Sequence, residues 1–260
     1  ERAEYPRVAG FLYDAVEKLT AAPFGDDKPA ENAEKNNKKI SAVNQGRIPL
    51  VCEAIKLLKE DVGEEIAIGG YIPGPFTLLS LLVETGALYI SLRKSEQVHI
   101  ALEMLTQVLA SVGNAYHGAG PDFLTIHEMG GSPGVLGPKL FESIILPHLQ
   151  TLFSELPRPA VLSACGRTNG AMKQLAASGA DALSVDQTND LAASRQEVPD
   201  VLLFGNLDPV EVISAGTPDE ITEAVESVVR SGADAVWPGC DLHPQVPLEN
   251  LRALVQASQK

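Results

Sequence analysis

After residue 47 the chain alternates between short apolar runs and longer stretches with helical spacing of apolar residues. A short apolar run between turn residues is typical of a buried strand, and apolar residues three and four apart are typical of a helix. Six runs are predicted to be strands, and they are 65–72, 122–127, 160–164, 182–185, 201–204 and 235–237. The segments predicted to be helical are 48–60, 75–84, 95–119, 138–156, 171–178, a short one near Leu191, 208–214, 218–231 and 248–258. This alternation predicts an α/β fold with a parallel sheet, of which a closed barrel is the commonest large form.

The number of predicted strands is smaller than the eight of a complete (β/α)8 TIM barrel. Either two strands are hidden in the N-terminal third, or the chain lacks the segment that supplies the first two. We favour the second interpretation because residues 1–47 contain no run of apolar, β-branched residues. These residues are predicted to form a helix at 5–19 and a polar loop at 26–47. Residues 48–260 are predicted to form the C-terminal three quarters of a single barrel domain.

Composition narrows the class of protein. The formal charge of −14 and the pI near 4.7 argue against nucleic acid or an anionic membrane as a partner. No stretch approaches the roughly eighteen apolar residues of a membrane helix, and the first residues do not resemble a signal peptide. Three scattered cysteines do not make a disulfide framework. We therefore expect a cytoplasmic enzyme.

Two of the cysteines follow predicted strands. Cys165 comes after the run 160–164, and Cys240 comes shortly after 235–237. In a parallel barrel these positions lie on the catalytic face, so the two thiols are predicted to converge there. Two thiolates in that place could bind zinc together with further ligands. The third, Cys52, lies in the middle of a predicted helix and is expected only to pack.

Further zinc ligands must come from the same ends of the strands. Glu128 and Asp186 each follow an apolar strand directly and are candidate ligands; the alternative for both is to cap a helix or loop. His127 competes with Glu128, because alternation along a strand turns the two side chains in opposite directions. Asn206 could donate a hydrogen bond to a substrate. Gly74, like other glycines at this rim, could allow a large, flat ligand to approach the backbone closely.

Four segments resemble one known family. They are Gly-Pro-Phe-Thr-Leu at 74–78, Gly-Asn-Leu-Asp-Pro at 205–209, Gly-Thr-Pro-Asp-Glu at 216–220, and Pro-Gly-Cys at 238–240 with Pro-Leu-Glu-Asn at 247–250. The chain is similar in these segments to the uroporphyrinogen decarboxylase superfamily. It resembles most closely the zinc-dependent methylcobalamin:coenzyme M (corrinoid) methyltransferases, because the decarboxylases have a Gly-His-Gly type of loop where this chain has Pro-Gly-Cys.

The resemblance implies a zinc site. That branch binds zinc through a His-x-Cys pair on one strand and a later cysteine, with an acidic residue nearby. Cys165 and Cys240 match the two cysteines and Asp186 falls at the acidic position, but Ser163 occupies the position of the histidine. Either Glu128 or His127 replaces that histidine as a ligand, or the site is altered or free of metal.

The resemblance also implies an activity. A methyl group would move between a methyl-corrinoid such as methylcobalamin and a zinc-activated thiol or a related small-molecule acceptor, with the corrinoid entering the barrel mouth, free or on a partner protein. The alternative is a decarboxylase like uroporphyrinogen decarboxylase; it is disfavoured because the arginine-rich N-terminal motif is not visible and a charge of −14 would repel an octacarboxylate. A third hypothesis is a degenerate barrel that binds a corrinoid or a partner without turnover.

Overall fold

The computed structural model describes residues 44, 46–92 and 96–259. Six parallel strands form one sheet in chain order, and each predicted strand has a counterpart in it. The strands are β1 (Gly69–Pro73), β2 (Phe123–His127), β3 (Ala160–Ala164), β4 (Ala182–Val185), β5 (Leu202–Leu207) and β6 (Ala235–Pro238). The α/β class and the six-stranded parallel sheet are therefore confirmed. An eight-stranded ring and the absence of its first two strands stay predictions. The predicted helix 5–19 lies outside the described residues, as does nearly all of the predicted loop 26–47.

The sheet is strongly curved. Phe123 on β2 and Trp237 on β6 have ring centroids 6.1 Å apart. Neighbouring strands are about 4.8 Å apart, so four spacings in a flat sheet would separate β2 from β6 by about 19 Å. Contact between these rings requires the six strands to curl into a half-barrel. Within the described part of the chain, β1 and β6 form the two edges of this half-barrel.

Helices cover the convex side. They are α1 (Ile48–Val62), α2 (Pro75–Leu82), α3 (Thr85–Ser91), α4 (Glu96–His117), α5 (Pro133–Leu136), α6 (Pro138–Leu140), α7 (Leu146–Glu155), α8 (Met172–Ala176), α9 (Leu191–Glu197), α10 (Pro218–Arg230) and α11 (Leu248–Ser258). π-Helical turns occupy Phe141–Ile145 and Pro209–Ser214. None of the helices in the described segments is long and apolar enough to cross a membrane.

The predicted helix 138–156 is interrupted. The π-helical turn Phe141–Ile145 separates α6 from α7. Pro147 lies in the first turn of α7 and has no N–H to donate to the carbonyl of Ser143, so the regular α-helical ladder cannot continue across this point. The predicted continuous helix is thus divided by a wider helical turn just before Pro147.

The two faces of the sheet differ in chemistry. The convex face presents Leu124, Ile126 and Leu162, which are fully buried beneath helices. Burial of each such side chain contributes about 1.5–3 kcal/mol. The concave face carries a polar row instead, in which His127 on β2 pairs in register with Ser163 on β3, and Ser163 with Ser184 on β4. The convex face therefore holds the core, and the concave face is left for chemistry.

Candidate active site

The two strand-end cysteines meet at the mouth of the half-barrel. The sulfur atoms of Cys165, after β3, and Cys240, after β6, lie 2.9 Å apart, and both residues are free thiols and half-buried. Three strand spacings in a flat sheet would place them about 14 Å apart, so the curvature of the sheet brings them together. Gly239 assists the approach, because a side chain there would collide with the backbone nitrogen of Gln187.

The surroundings of Cys165 oppose formation of its thiolate. Burial is the main cause that raises the pKa of the Cys165 thiol well above its ordinary value. The neighbouring Cys240 thiol and the carboxylates of Asp186 and Asp241 raise it further. Two negative sulfurs at this separation would repel each other strongly, so a cation that compensates the charge would favour ionisation of the pair.

Asp186 positions the loop that carries Cys165. Its side chain is buried, and Oδ2 accepts a hydrogen bond of 2.8 Å from the backbone N–H of Gly166. Oδ1 accepts from the backbone N–H and the hydroxyl of Thr188, both at 2.7 Å. Both oxygens of this predicted ligand therefore already have protein partners, and one of those partners adjoins Cys165.

Asn206 belongs to the same network. Its Nδ2 donates to the carbonyl oxygens of Asp186, at 3.2 Å, and Asn189, at 2.9 Å. Asn189 in turn donates to the carbonyl of Gly166 at 2.9 Å and accepts from the N–H of Thr168 at 2.6 Å. The predicted substrate-binding amide of Asn206 is thus used to hold the ends of β4 and β5 together. Sequence reasoning missed Asn189; its position three residues after Asp186 was the available signal.

Glu128 caps a helix. Its carboxylate has no exposed surface, and it accepts hydrogen bonds from the backbone N–H groups of Phe76, Thr77 and Gly131 and from the Thr77 hydroxyl, at 2.7–3.1 Å. Phe76 and Thr77 lie in the first turn of α2. Burial raises the pKa of Glu128 to about 7, and the four donors oppose that rise. The cap alternative considered for this residue is therefore the role that its contacts describe.

Gly74 owes its position to the same carboxylate. A β-carbon on Gly74 would collide with Oε2 of Glu128. Gly74 was predicted to leave room for a ligand, but the space beside it is occupied by the buried carboxylate of Glu128. Asp208 caps the π-helical turn Pro209–Ser214 by accepting 2.8 Å hydrogen bonds from the N–H groups of Val210 and Glu211.

His127 lies on the concave face of the sheet, and its Nδ1 atom has no hydrogen-bond partner among the described residues. Its ring packs edge-on against Tyr71, with centroids 4.4 Å apart. Its buried Nδ1 lies 3.8 Å from Oδ1 of Asp241, beyond hydrogen-bonding distance, and has no partner among the described residues. Burial lowers the pKa of His127, and the Asp241 carboxylate partly opposes this. The buried Oε1 of Gln187 is likewise without a partner in the described ranges.

The predicted ligand set is not assembled as a whole. The structure brings Cys165 and Cys240 together, whereas Asp186 and Glu128 direct their oxygens to backbone donors. Over residues 44, 46–92 and 96–259, no group of three or more His, Cys, Asp and Glu side chains is arranged to hold a metal ion. The sulfur pair is the part of the predicted site whose atoms are in contact.

Comparison with known proteins places the chain in a family. Residues 11–260 match the family model described as uroporphyrinogen decarboxylase (URO-D). A methylcobamide:CoM methyltransferase, MtaA of Methanosarcina barkeri, is 31% identical over 247 residues, which cover 92% of this chain and 70% of that protein. A uroporphyrinogen decarboxylase of Idiomarina loihiensis is 29% identical over 228 residues, 81% of this chain and 63% of that protein.

A solved structure has the same fold. It is a methyltransferase from Methanosarcina mazei, which superimposes with a TM-score of 0.80 at 30% sequence identity. The alignment covers 85% of this chain and 66% of that one. The chain therefore spans slightly less than two thirds of this structural relative.

Proposed function

The chain belongs to the uroporphyrinogen decarboxylase family, and we propose that within it the chain is a methyltransferase that moves a methyl group between a methyl-corrinoid and a thiol. The contact between the Cys165 and Cys240 sulfurs carries this proposal. A decarboxylation of acidic side chains has no use for a pair of thiols at the barrel mouth, whereas activation of a thiol by a thiophilic cation does. The similarity to methylcobamide:CoM methyltransferases supports the same choice.

The donor set fits zinc in part. Cys165 and Cys240 are soft sulfur donors at an accessible rim, and we propose them as ligands of Zn²⁺. Asp186 is proposed as a positioning residue, because its carboxylate holds the loop at Gly166. Glu128 is left out, because its oxygens cap α2. When bound, zinc would supply the positive charge that makes a thiol a thiolate at neutral pH.

The remaining residues would shape the mouth. The concave polar row and the aromatic rings of Tyr71 and Trp237 offer a broad surface on which a flat corrinoid, free or carried by a partner protein, could dock. In the proposed reaction the acceptor thiolate attacks the methyl carbon, a carbon–sulfur bond forms, and the cobalt–carbon bond breaks. The electron pair of that bond stays on cobalt, which passes from Co(III) to Co(I).

Zinc content and turnover test the proposal. We expect the reduced full chain to bind one zinc ion, and we expect Cys165→Ala and Cys240→Ala each to lose it and to abolish demethylation of methylcobalamin with a small thiol acceptor. Cys52→Ala is the matched control, because Cys52 lies on α1 and its thiol donates to the Ala115 carbonyl. Metal analysis and the corrinoid absorption spectrum provide the two readings.

Two results would overturn the proposal. One is a reduced wild-type chain that binds no zinc. The other is a chain that decarboxylates uroporphyrinogen and leaves methylcobalamin intact, which would favour the decarboxylase alternative. Loss of zinc in Cys52→Ala to the same extent as in Cys165→Ala would show that the effect is not specific to the site.

A further inference from the structure

The Cys165 and Cys240 thiols are close enough to bond to each other. Their sulfurs lie 2.9 Å apart, although 75 residues separate them in the chain. A disulfide bond is about 2.0 Å long, so each sulfur would move by roughly 0.5 Å to form one. Small rotations of the two side chains supply a shift of that size. The backbone therefore does not need to rearrange for the pair to be oxidised.

The backbone on both sides of the pair is anchored. The carbonyl of Cys165 accepts a 2.8 Å hydrogen bond from the Ser132 hydroxyl, and the next N–H along the chain donates to Asp186. On the other side, the N–H of Gly239 donates to the Leu207 carbonyl at 2.8 Å. These contacts fix the two segments that carry the sulfurs, so the sulfurs stay opposed when no ligand holds them.

The third cysteine of the chain is placed differently. Cys52 lies on α1, and its thiol donates to the Ala115 carbonyl at 3.6 Å. Cys165 and Cys240 are only half-buried at the mouth, so a small reagent can reach them. Cys52 is half-buried as well, and it therefore serves as the matched control thiol.

We infer that Cys165 and Cys240 form a reversible disulfide bond that turns the site off, and that the oxidant is the disulfide of a small thiol. The inference rests on the proposed function, in which the same sulfurs bind zinc and a small thiol accepts the methyl group. Sulfurs bonded to each other no longer act as thiolate ligands, so zinc is released. The bond would thus stop the enzyme when the pool of acceptor thiol is oxidised.

The chemistry is two successive thiol–disulfide exchanges. One cysteine sulfur attacks a sulfur of the small disulfide, a mixed disulfide forms, and one molecule of the small thiol leaves. The other cysteine sulfur then attacks the protein sulfur of the mixed disulfide, which forms the Cys165–Cys240 bond and releases the second small thiol. Each departing thiol takes up the proton that a cysteine loses. Two cysteines are therefore oxidised, and one small disulfide is reduced to two thiols.

Anaerobic equilibration of the folded full chain, free of zinc, with mixtures of 2-mercaptoethanol and its disulfide tests the inference. We expect the wild type to lose about 2 Da and to yield one linked peptide pair that contains Cys165 and Cys240. Cys52→Ala should do the same, whereas Cys165→Ala and Cys240→Ala should stop at the mixed disulfide. Excess 2-mercaptoethanol should reverse the change. Mass spectrometry and peptide mapping without reductant provide the readings.

Zinc affinity tests the effect of the bond on the site. The oxidised chain should bind zinc at least about 100-fold more weakly than the reduced chain, since even one partner outside the ligand shell is worth 10–100-fold. Reduction should restore the affinity. Chelator competition measures both forms, and Cys52→Ala should match the wild type in each.

The possible failures are distinguishable. A wild type that stays at the mixed disulfide, or that links Cys52, would overturn the inference and leave the proposed function intact. Equal zinc affinity of the reduced and oxidised chains would overturn the role of the bond as a switch. A reduced chain that forms the linked pair but binds no zinc would overturn the proposed function and the switch together.

Discussion

Two groups of buried polar atoms lie at the strand ends, and they differ in how well they are satisfied. Around Glu128, a fully buried carboxylate receives hydrogen bonds from four donors. Around Cys165 and Cys240, the sulfurs contact each other, and nearby buried atoms of His127 and Gln187 have no partner in the described residues. The Glu128 cap is complete without a ligand, whereas the cysteine region is not. Whether a buried polar atom has a hydrogen-bond partner therefore distinguishes structural residues from candidate functional residues better than the type of residue does.

The largest expected effect is on the Glu128 cap. We expect Glu128→Ala to lower the unfolding free energy by about 3 kcal/mol or more, because the N–H groups of Phe76, Thr77 and Gly131 lose their acceptor at about 1–3 kcal/mol each. Urea unfolding followed by circular dichroism measures this. Glu142→Ala, at an exposed position with the same side chain, should change stability by no more than about 0.5 kcal/mol. Similar losses for the two variants would contradict the structural role given to Glu128.

The next largest effect is expected at Asp186, whose substitution should change both the stability of the chain and the position of Cys165. Asp186→Asn replaces one of two accepting oxygens with an NH2 group, so either the Gly166 N–H or the Thr188 N–H loses its acceptor, and we expect a loss of about 1–2 kcal/mol in unfolding free energy. Because Gly166 adjoins Cys165, zinc affinity should fall roughly 10–100-fold. Asp190→Asn is the control, since it caps α9 through Ala193 and an amide oxygen can still accept that bond. Unchanged zinc affinity in Asp186→Asn would show that the aspartate does not position the thiol.

A pH series examines the Glu128 cap without truncating it. The pKa of Glu128 is about 7 in the folded chain, against an ordinary value of 4.5, so unfolding releases a proton between these limits. The advantage of the wild type over Glu128→Gln should therefore be greatest below about pH 4.5. It should shrink as the pH rises, by up to about 1.4 kcal/mol per pH unit, until about pH 7. Paired urea titrations at several pH values provide the difference, and a difference that stays constant or grows would contradict the assignment.

The smallest effect is expected at an exposed cap. Thr217 forms a capping box with Glu220 at the start of α10, in contact with water. Thr217→Ala should cost about 1 kcal/mol, because solvent can replace part of what is lost. The same urea unfolding assay allows direct comparison with Glu128→Ala. If Thr217→Ala lowered the unfolding free energy as much as Glu128→Ala, burial of a cap would not increase its contribution to stability.

Several elements could be predicted from local pattern. The strands Ala160–Ala164 and Ala182–Val185 have the predicted bounds, because each is a short apolar run between turn residues. Gly179 and Gly232 lie in two copies of the turn sequence Ser-Gly-Ala-Asp-Ala, at 178–182 and 231–235, and have positive φ of 89° and 98°, as is typical of a glycine that ends a helix. Other bounds depended on distant contacts: β1 begins at Gly69 rather than 65, and β5 continues to Leu207 beside β6.

The sequence by itself determined the alternation of strands and helices and hence that Cys165 and Cys240 follow parallel strands at one end of a sheet. It left open which polar side chains near the two cysteines are free to bind a ligand and which are hydrogen-bonded within the chain, and only the tertiary structure decided this. Glu128 finds three of its four hydrogen-bond donors 51 and 52 residues away, and the sulfurs meet only because the sheet curls. Periodicity reports local geometry, whereas the partner of a buried polar group is set by which distant segments the fold brings beside it.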